Sequence, residues 1–317
     1  MKRISRREFV RLCAGSAAGV SVLSLLGPYI ASAFGQAAEG KPVVLWLQGA
    51  SCTGCSVSLL NSVEPGSPTI DKLLLDVIAL KYHHNVMAAS GQLAMDHLFD
   101  TAETNKGKFF LVVEGGVPAK DDGYYCTIGD KNGKHITMLN AVREIGGKAA
   151  AVIAAGTCAA YGGIPAGGPN PTGVVGVKQI LSAKPVINIP NCPMHPDAFL
   201  GTVTYVLTYG DIPALDAHGR PTMFYGRTVH DNCIRRSDFF AERFAQKLGD
   251  PGCLYLLGCK GPLAYSDCAN RGWNNNTSWC VKAGAPCMAC AEPGFPDAFS
   301  PFYGRMPLNL DFELVAK

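Results

Sequence analysis

VVLWLQGASCTGCS, Val43 to Ser56, decides how the chain folds. Its first half is a short apolar run with β-branched residues, which suits a strand buried on both faces. Gly49 ends that run, and Cys52 and Cys55 follow with CxxC spacing. The pair therefore stands at the carboxyl end of a core strand. Whatever those thiols hold must be completed by groups elsewhere in the chain.

The same pattern recurs. VIALKYH (77–83), KFFLVVEGG (108–116), AAAVIAAG (149–156) and PVINIP (185–190) also read as buried strands, mostly closed by Gly or Pro. Segments 56–63, 92–104, 136–145, 173–181 and 197–208 read as helices between them. Alternation at this spacing predicts a flavodoxin-like, doubly wound α/β domain over 41–209, a parallel sheet covered on both faces. After about residue 210 the periodicity fades. A helix is expected at 238–246, and the rest of 210–317 is irregular and rich in Gly, Pro, Asn and Cys. A region of that kind cannot fold on apolar burial alone, so bound metal is expected to hold it.

The cysteines sort by this topology. Cys52 and Cys55 follow the first strand, Cys158 (GTCAAYGG) the fourth and Cys192 (PNCPMHP) the fifth. Loops at the carboxyl ends of parallel strands share one edge, so these four thiols meet. Gly49, Gly54, Gly156, Gly162 and Gly163 let the backbone approach them. Four thiolates at one place mean zinc or a 4Fe–4S cluster, whereas CxxC by itself also fits a redox dithiol. A second set is His230 and Cys233, spaced HxxC, with Cys253 and Cys259. A lone histidine is more often structural, but this spacing favours ligation. Imidazole in place of one thiolate makes that set less negative and suits a terminal, more exposed position. The third set is Cys280, Cys287 and Cys290, in SWCVKAGAPCMAC, completed by Cys268. Trp273, Trp279, Phe295 and Phe299 either wall that site from water or simply pack.

Eleven cysteines and one histidine thus make three sets of four, with Cys126 left over. No nucleophile–base or paired-carboxylate constellation accompanies them, so the pattern describes a conductor of electrons. Glu114, ending the third strand, is a candidate for proton or interface contacts, with a buried structural hydrogen bond as the alternative. The Gly-rich run 162–173 lacks both GxxxxGK[ST] and GxGxxG, which excludes a phosphate cradle of either type.

SRREFVR (5–11) precedes a weakly apolar run and Ala31-Ser32-Ala33, the pattern of a twin-arginine export signal over 1–33. That leader is expected to lie outside the fold and includes Cys13. It carries five Lys/Arg and one Glu, so the whole chain's net +3 falls to about −1 without it. Nucleic-acid binding has no electrostatic support. The twin-arginine route exports proteins already folded in the cytosol, which favours thiolate ligands over disulfides among the remaining twelve cysteines. No later segment has the apolar length to cross a membrane, so the mature chain is expected to lack a transmembrane helix.

Through CTGC, VVEGG, GTCAAYGG, PNCP, HxxC and the ordered cysteines after it, the chain resembles the small subunits of nickel–iron hydrogenases over about 43–302. The resemblance implies a proximal 4Fe–4S cluster on Cys52, Cys55, Cys158 and Cys192. It implies a distal one on His230, Cys233, Cys253 and Cys259, and a medial one on Cys268, Cys280, Cys287 and Cys290. It further implies a large partner that bears the nickel–iron site where H2 is split or made, the two forming a heterodimer, with electrons passing on to a multihaem c-type cytochrome. Many members have proline where this chain has Cys280 and hold a 3Fe–4S medial cluster. A fourth cysteine implies 4Fe–4S, as in the nickel–iron–selenium branch. Ser51 replaces the glutamate that many members place before CTGC, which removes a titrating group there. Oxygen-tolerant members pair an extra cysteine near Cys126 with a cysteine in place of the CTGC glycine. Gly54 is retained here, so Cys126 reads as a spare thiol. The expected location is the periplasm, with any membrane association supplied by partners. The competing readings are a polyferredoxin-like subunit of another redox complex and a zinc- or disulfide-stabilised secreted binding module.

Overall fold

In the computed structural model, residues 4–14, 41–62 and 70–304 are described. Five strands form the central sheet: Val43–Gln48 (β1), Ala79–His83 (β2), Phe109–Glu114 (β3), Ala151–Ala155 (β4) and Val186–Ile189 (β5). They lie in the order β2-β1-β3-β4-β5 and all pair in parallel, with Val43 opposite Phe109 and Gln48 opposite Glu114. This is the flavodoxin order. Every residue of β3, β4 and β5 is buried, which explains why these strands are continuously apolar instead of alternating.

The longer helices are Arg6–Ala14 (α1), Gly54–Leu60 (α2), Gly91–Thr104 (α3), Met138–Lys148 (α4), Gly156–Tyr161 (α5) and Pro196–Tyr209 (α6). Successive strand residues face opposite ways. Trp46, Val112, Ile153 and Ile187 pack under α6, against Phe199, Leu200 and Val203. Leu45, Leu47, Leu111 and Val152 face α3 and α4, against Leu98, Met138, Val142 and Ile145. Local chemistry sets the ends. Thr137 Oγ1 accepts from Asn140 N to cap α4, and α6 has Pro196 in its first turn and Gly210 at φ 63° beyond its last.

The sheet order reverses between β1 and β3. The loops leaving those strands turn to opposite faces and leave a crevice between them, the usual ligand position in such sheets. CTGC enters that crevice.

Three expected helices differ. Residues 134–137 pair with Thr127–Lys131 as a hairpin, so α4 starts later than 136. Residues 173–181 divide into a short strand at Val174–Val175 and a single turn at Val177–Ile180. There, Asn170 binds both N and O of Val174 and holds the chain extended. The helix expected at 238–246 covers only Arg236–Phe240. Glu242 has φ 55°, and the chain turns so that Ala245 N donates to Cys253 O.

The segment before residue 33, expected to lie outside the fold, has a described part that packs on it. Its α1 lies against α6 and the turn Thr222–Tyr225, with Phe9 and Cys13 fully buried. Beyond residue 210 a small cluster of Val229, Leu254, Ala264, Trp279, Val281 and Ala289 encloses Cys259 and Cys287. Buried ion pairs tie this region together and to the sheet domain: Arg220 to Glu292 at 2.8 Å and Arg271 to Asp197 at 3.3 Å. Among the described residues no helix is long and apolar enough to cross a membrane.

Leu111 has no exposed surface at the centre of β3, while Leu93 on α3 is 69% exposed. Leu111→Ala is expected to cost about 3 kcal/mol and Leu93→Ala under about 0.5 kcal/mol. Thermal unfolding midpoints of the two variants check the contrast.

Candidate functional site

Glu114 stands at the crevice with no exposed surface. Its carboxylate accepts from Cys55 N at 3.1 Å, Ser56 N at 3.2 Å, Trp46 Nε1 at 3.0 Å and the Ser56 hydroxyl. Its oxygens therefore satisfy the first N–H groups of α2. Of the two readings of Glu114, buried structural hydrogen bonding is the one this geometry carries. His83 Nδ1 accepts from Asn85 N at 3.3 Å, so the ring proton is assigned to Nε2, 3.0 Å from Ser56 Oγ. Burial first, and then His84, push the His83 pKa down to about 4.

Cys52 and Cys55 flank the start of α2, Cys158 lies on α5 after β4, and Cys192 follows Asn191 after β5. The four thiols act on one another electrostatically. Burial pushes Cys55 well above its usual range, and Cys158 and Cys192 push it further. Burial and then Cys158 and Cys52 raise Cys192 to about 11. Met194 N donates to Cys55 Sγ at 3.4 Å. Gly156 has φ +86°, and a Cβ there would collide with Cys55 Sγ. Cys55, Cys158 and Cys192 are thereby thiols of raised pKa, unlike the activated thiolate of a redox dithiol.

His230, Cys233, Cys253 and Cys259 line one small cavity with Val229, Leu254 and Val281. Burial, followed by Arg236, keeps the imidazole neutral by lowering its pKa. Its Nε2 is buried without a hydrogen-bond partner, although Phe239 packs edge-on at 4.7 Å. A neutral, orphaned ring nitrogen on a residue that shares a cavity with three cysteines suits a metal ligand. Arg235 N donates to Cys233 Sγ at 3.4 Å.

Cys268, Cys280, Cys287 and Cys290 form the third group. Burial and then Cys290 raise the Cys268 thiol, and burial raises Cys290 to about 11 with Cys280 and Cys192 adding to it. The group touches both others. Cys287 N donates to Cys259 Sγ at 3.3 Å, and Asn191, beside Cys192, points its amide at Cys268 Sγ (3.7 Å) and Cys290 Sγ (4.0 Å). Trp279 and Phe295 are buried; Trp273 packs on His195 at 4.9 Å. His195 is no ligand, since its Nε2 lies 2.7 Å from Gly272 O and its Nδ1 caps α6.

Sequence reading missed Asn191. Its signal was present, because a turn residue held at φ 86° beside a cysteine favours Asn. Cys126 stands apart: burial alone raises its thiol, and it packs against the α3–α4 core. No disulfide joins any of the thirteen cysteines. Among the described residues, no three His, Cys, Asp or Glu side chains converge tightly enough for a single metal ion.

Known proteins share this fold and sequence. Residues 225–303 match the C-terminal family of the NiFe/NiFeSe hydrogenase small subunit, and residues 52–206 match NADH ubiquinone oxidoreductase, 20 Kd subunit. The periplasmic [NiFeSe] hydrogenase small subunit of Desulfomicrobium baculatum is 44% identical over 95% of this chain and 98% of its own. The periplasmic [NiFe] hydrogenase small subunit of Solidesulfovibrio fructosivorans is 41% identical over 95% and 93%. A crystal structure of the reduced, active Ni-Fe-Se hydrogenase from D. baculatum superposes with a TM-score of 0.80 at 43% identity, covering 84% of this chain and 100% of that one. The fold and the sequence similarity are those of a redox subunit. The chain belongs to the small subunits of the nickel–iron and nickel–iron–selenium hydrogenases, and its role is that of a hydrogenase oxidoreductase subunit.

Two outcomes test this geometry. Gly156→Ala is expected to displace Cys55 and lower bound iron by about one cluster, or about four atoms, per chain; metal analysis reads it. His83 binds its proton less readily folded (about 4) than at its ordinary 6.5. Its contribution to stability is therefore complete above about pH 6.5 and is lost as pH falls towards 4. His83→Gln should flatten that part of the stability–pH curve, followed by chemical denaturation.

Proposed function

We propose that this chain is the electron-relaying subunit of a periplasmic hydrogenase. Its three groups hold 4Fe–4S clusters: proximal on Cys52, Cys55, Cys158 and Cys192, medial on Cys268, Cys280, Cys287 and Cys290, distal on His230, Cys233, Cys253 and Cys259. The observation that carries the reading is the middle group's contact with both neighbours, through Cys287 N to Cys259 Sγ and through Asn191. When bound, such clusters accept and release single electrons.

The residues of this chain do the rest. Buried walls, including Trp279 and Phe295, keep water from the medial ligands. The N–H groups of Met194, Arg235 and Cys287 donate to ligand sulfurs and offset their charge. Neutral His230 lessens the negative charge at one end of the row. Cys52 is the exposed member at the other end, suited to a large subunit bearing the nickel–iron or nickel–iron–selenium site. The acceptor beyond His230 is a c-type multihaem cytochrome. Export proceeds through the twin-arginine signal of SRREFVR, after folding.

The cluster reading predicts about twelve irons per chain with matching acid-labile sulfide, and co-purification with a nickel-containing partner. Zinc in place of iron would sink it. Cys280→Pro is expected to convert the medial cluster to 3Fe–4S and produce a new EPR signal in the oxidised protein; no new signal would remove Cys280 from the ligands.

A further inference from the structure

The leader helix α1 is seated in a groove on the folded chain, and we infer that this groove is a binding site for the twin-arginine segment, which the precursor uses to withhold its own export signal. The inference rests on the export reading above. Phe9 and Cys13, one turn apart on the same face of α1, have no exposed surface. The Phe9 ring meets Tyr205 at 5.5 Å and Tyr209 at 5.7 Å, both edge-on. Arg7, Glu8 and Arg11 remain exposed on the other face.

Both ends of α1 have polar anchors. Tyr209 OH donates to Ile4 O at 3.2 Å, and Arg6 lies over the Tyr209 ring at 5.6 Å while pairing with Asp211 at 3.1 Å. At the far end Arg271, whose side chain is 2% exposed, donates to the Cys13 carbonyl. That carbonyl belongs to the last turn, where a helix lacks partners of its own and its dipole is negative. Arg271 is pre-positioned by Asp197 and Asp267 and lies 4.9 Å over Phe224. A chance apolar contact would not supply a buried cation at the one end of the helix that wants it.

Arg6 and Phe9 are two residues of the SRREFVR pattern, and both are engaged by the chain's own body. Any receptor that reads this pattern must compete with the groove. The folded domain thus sets how available its signal is.

The test uses the full-length precursor bound to its partner subunit. Trypsin is expected to spare Arg7 and Arg11 in the unaltered chain. Tyr209→Ala and Asp211→Ala should each speed cleavage there by about tenfold with iron content unchanged, and should hasten export. If either variant loses iron, Phe9→Ala, which alters only the leader, must give the same release. A leader cut as fast in the unaltered precursor as when fused to an unrelated folded protein would overturn the inference. Arg6→Lys with Arg7→Lys addresses the export reading separately. Undiminished export in that variant would reject twin-arginine targeting and leave the protease result standing.

Discussion

One buried carboxylate holds the crevice together. Glu114 ends the central strand β3, directly opposite Gln48 of β1 in register. It gathers the indole of Trp46, the Ser56 hydroxyl and the first N–H groups of α2. Burying a polar group costs free energy unless donors replace its water, and here four do. The position of Cys55 relative to the sheet follows from that bond, and the meeting of Cys55 with Cys158 and Cys192 follows from the sheet. Removing the carboxylate would leave the Cys55 and Ser56 N–H groups unpaired at the start of α2 and loosen Cys55.

The sheet was legible because its strands are buried on both faces. VVLWLQ, FFLVVE, AVIAA and VINI announce themselves without any alternation to decode, and Gly or Pro marks most of their ends. Once the parallel order was read, the rule that loops collect at the strands' carboxyl ends brought Cys52, Cys55, Cys158 and Cys192 together. The grouping beyond residue 210 came from ligand arithmetic instead, since no periodicity exists there. Misreadings fell where a distant partner overrides local preference. The helix expected from 136 begins only at Met138 because 136–137 pair in a hairpin, and 173–181 is held open by Asn170. The docking of α1 had no sequence signal, because Arg271 lies more than two hundred residues away.

The two buried ion pairs explain how a region with few apolar residues keeps a fixed shape. Arg220 pairs with Glu292 at 2.8 Å, and the same carboxylate accepts from Tyr265 N. Arg271 joins Asp197 of the sheet domain to Asp267 beside Cys268. Such pairs are weak sources of net stability, but they are demanding in geometry. They fix the loops so that ligand side chains arrive already aimed.

The middle group is bonded to the groups on both sides of it. On one side its Cys287 donates a backbone N–H to a sulfur of the distal group, and on the other its sulfurs share Asn191 with the loop of Cys192. Were clusters held as proposed, charge on the middle one would act on both of its neighbours. As with coupled acids, stepwise reduction would report the behaviour of the series instead of any single site.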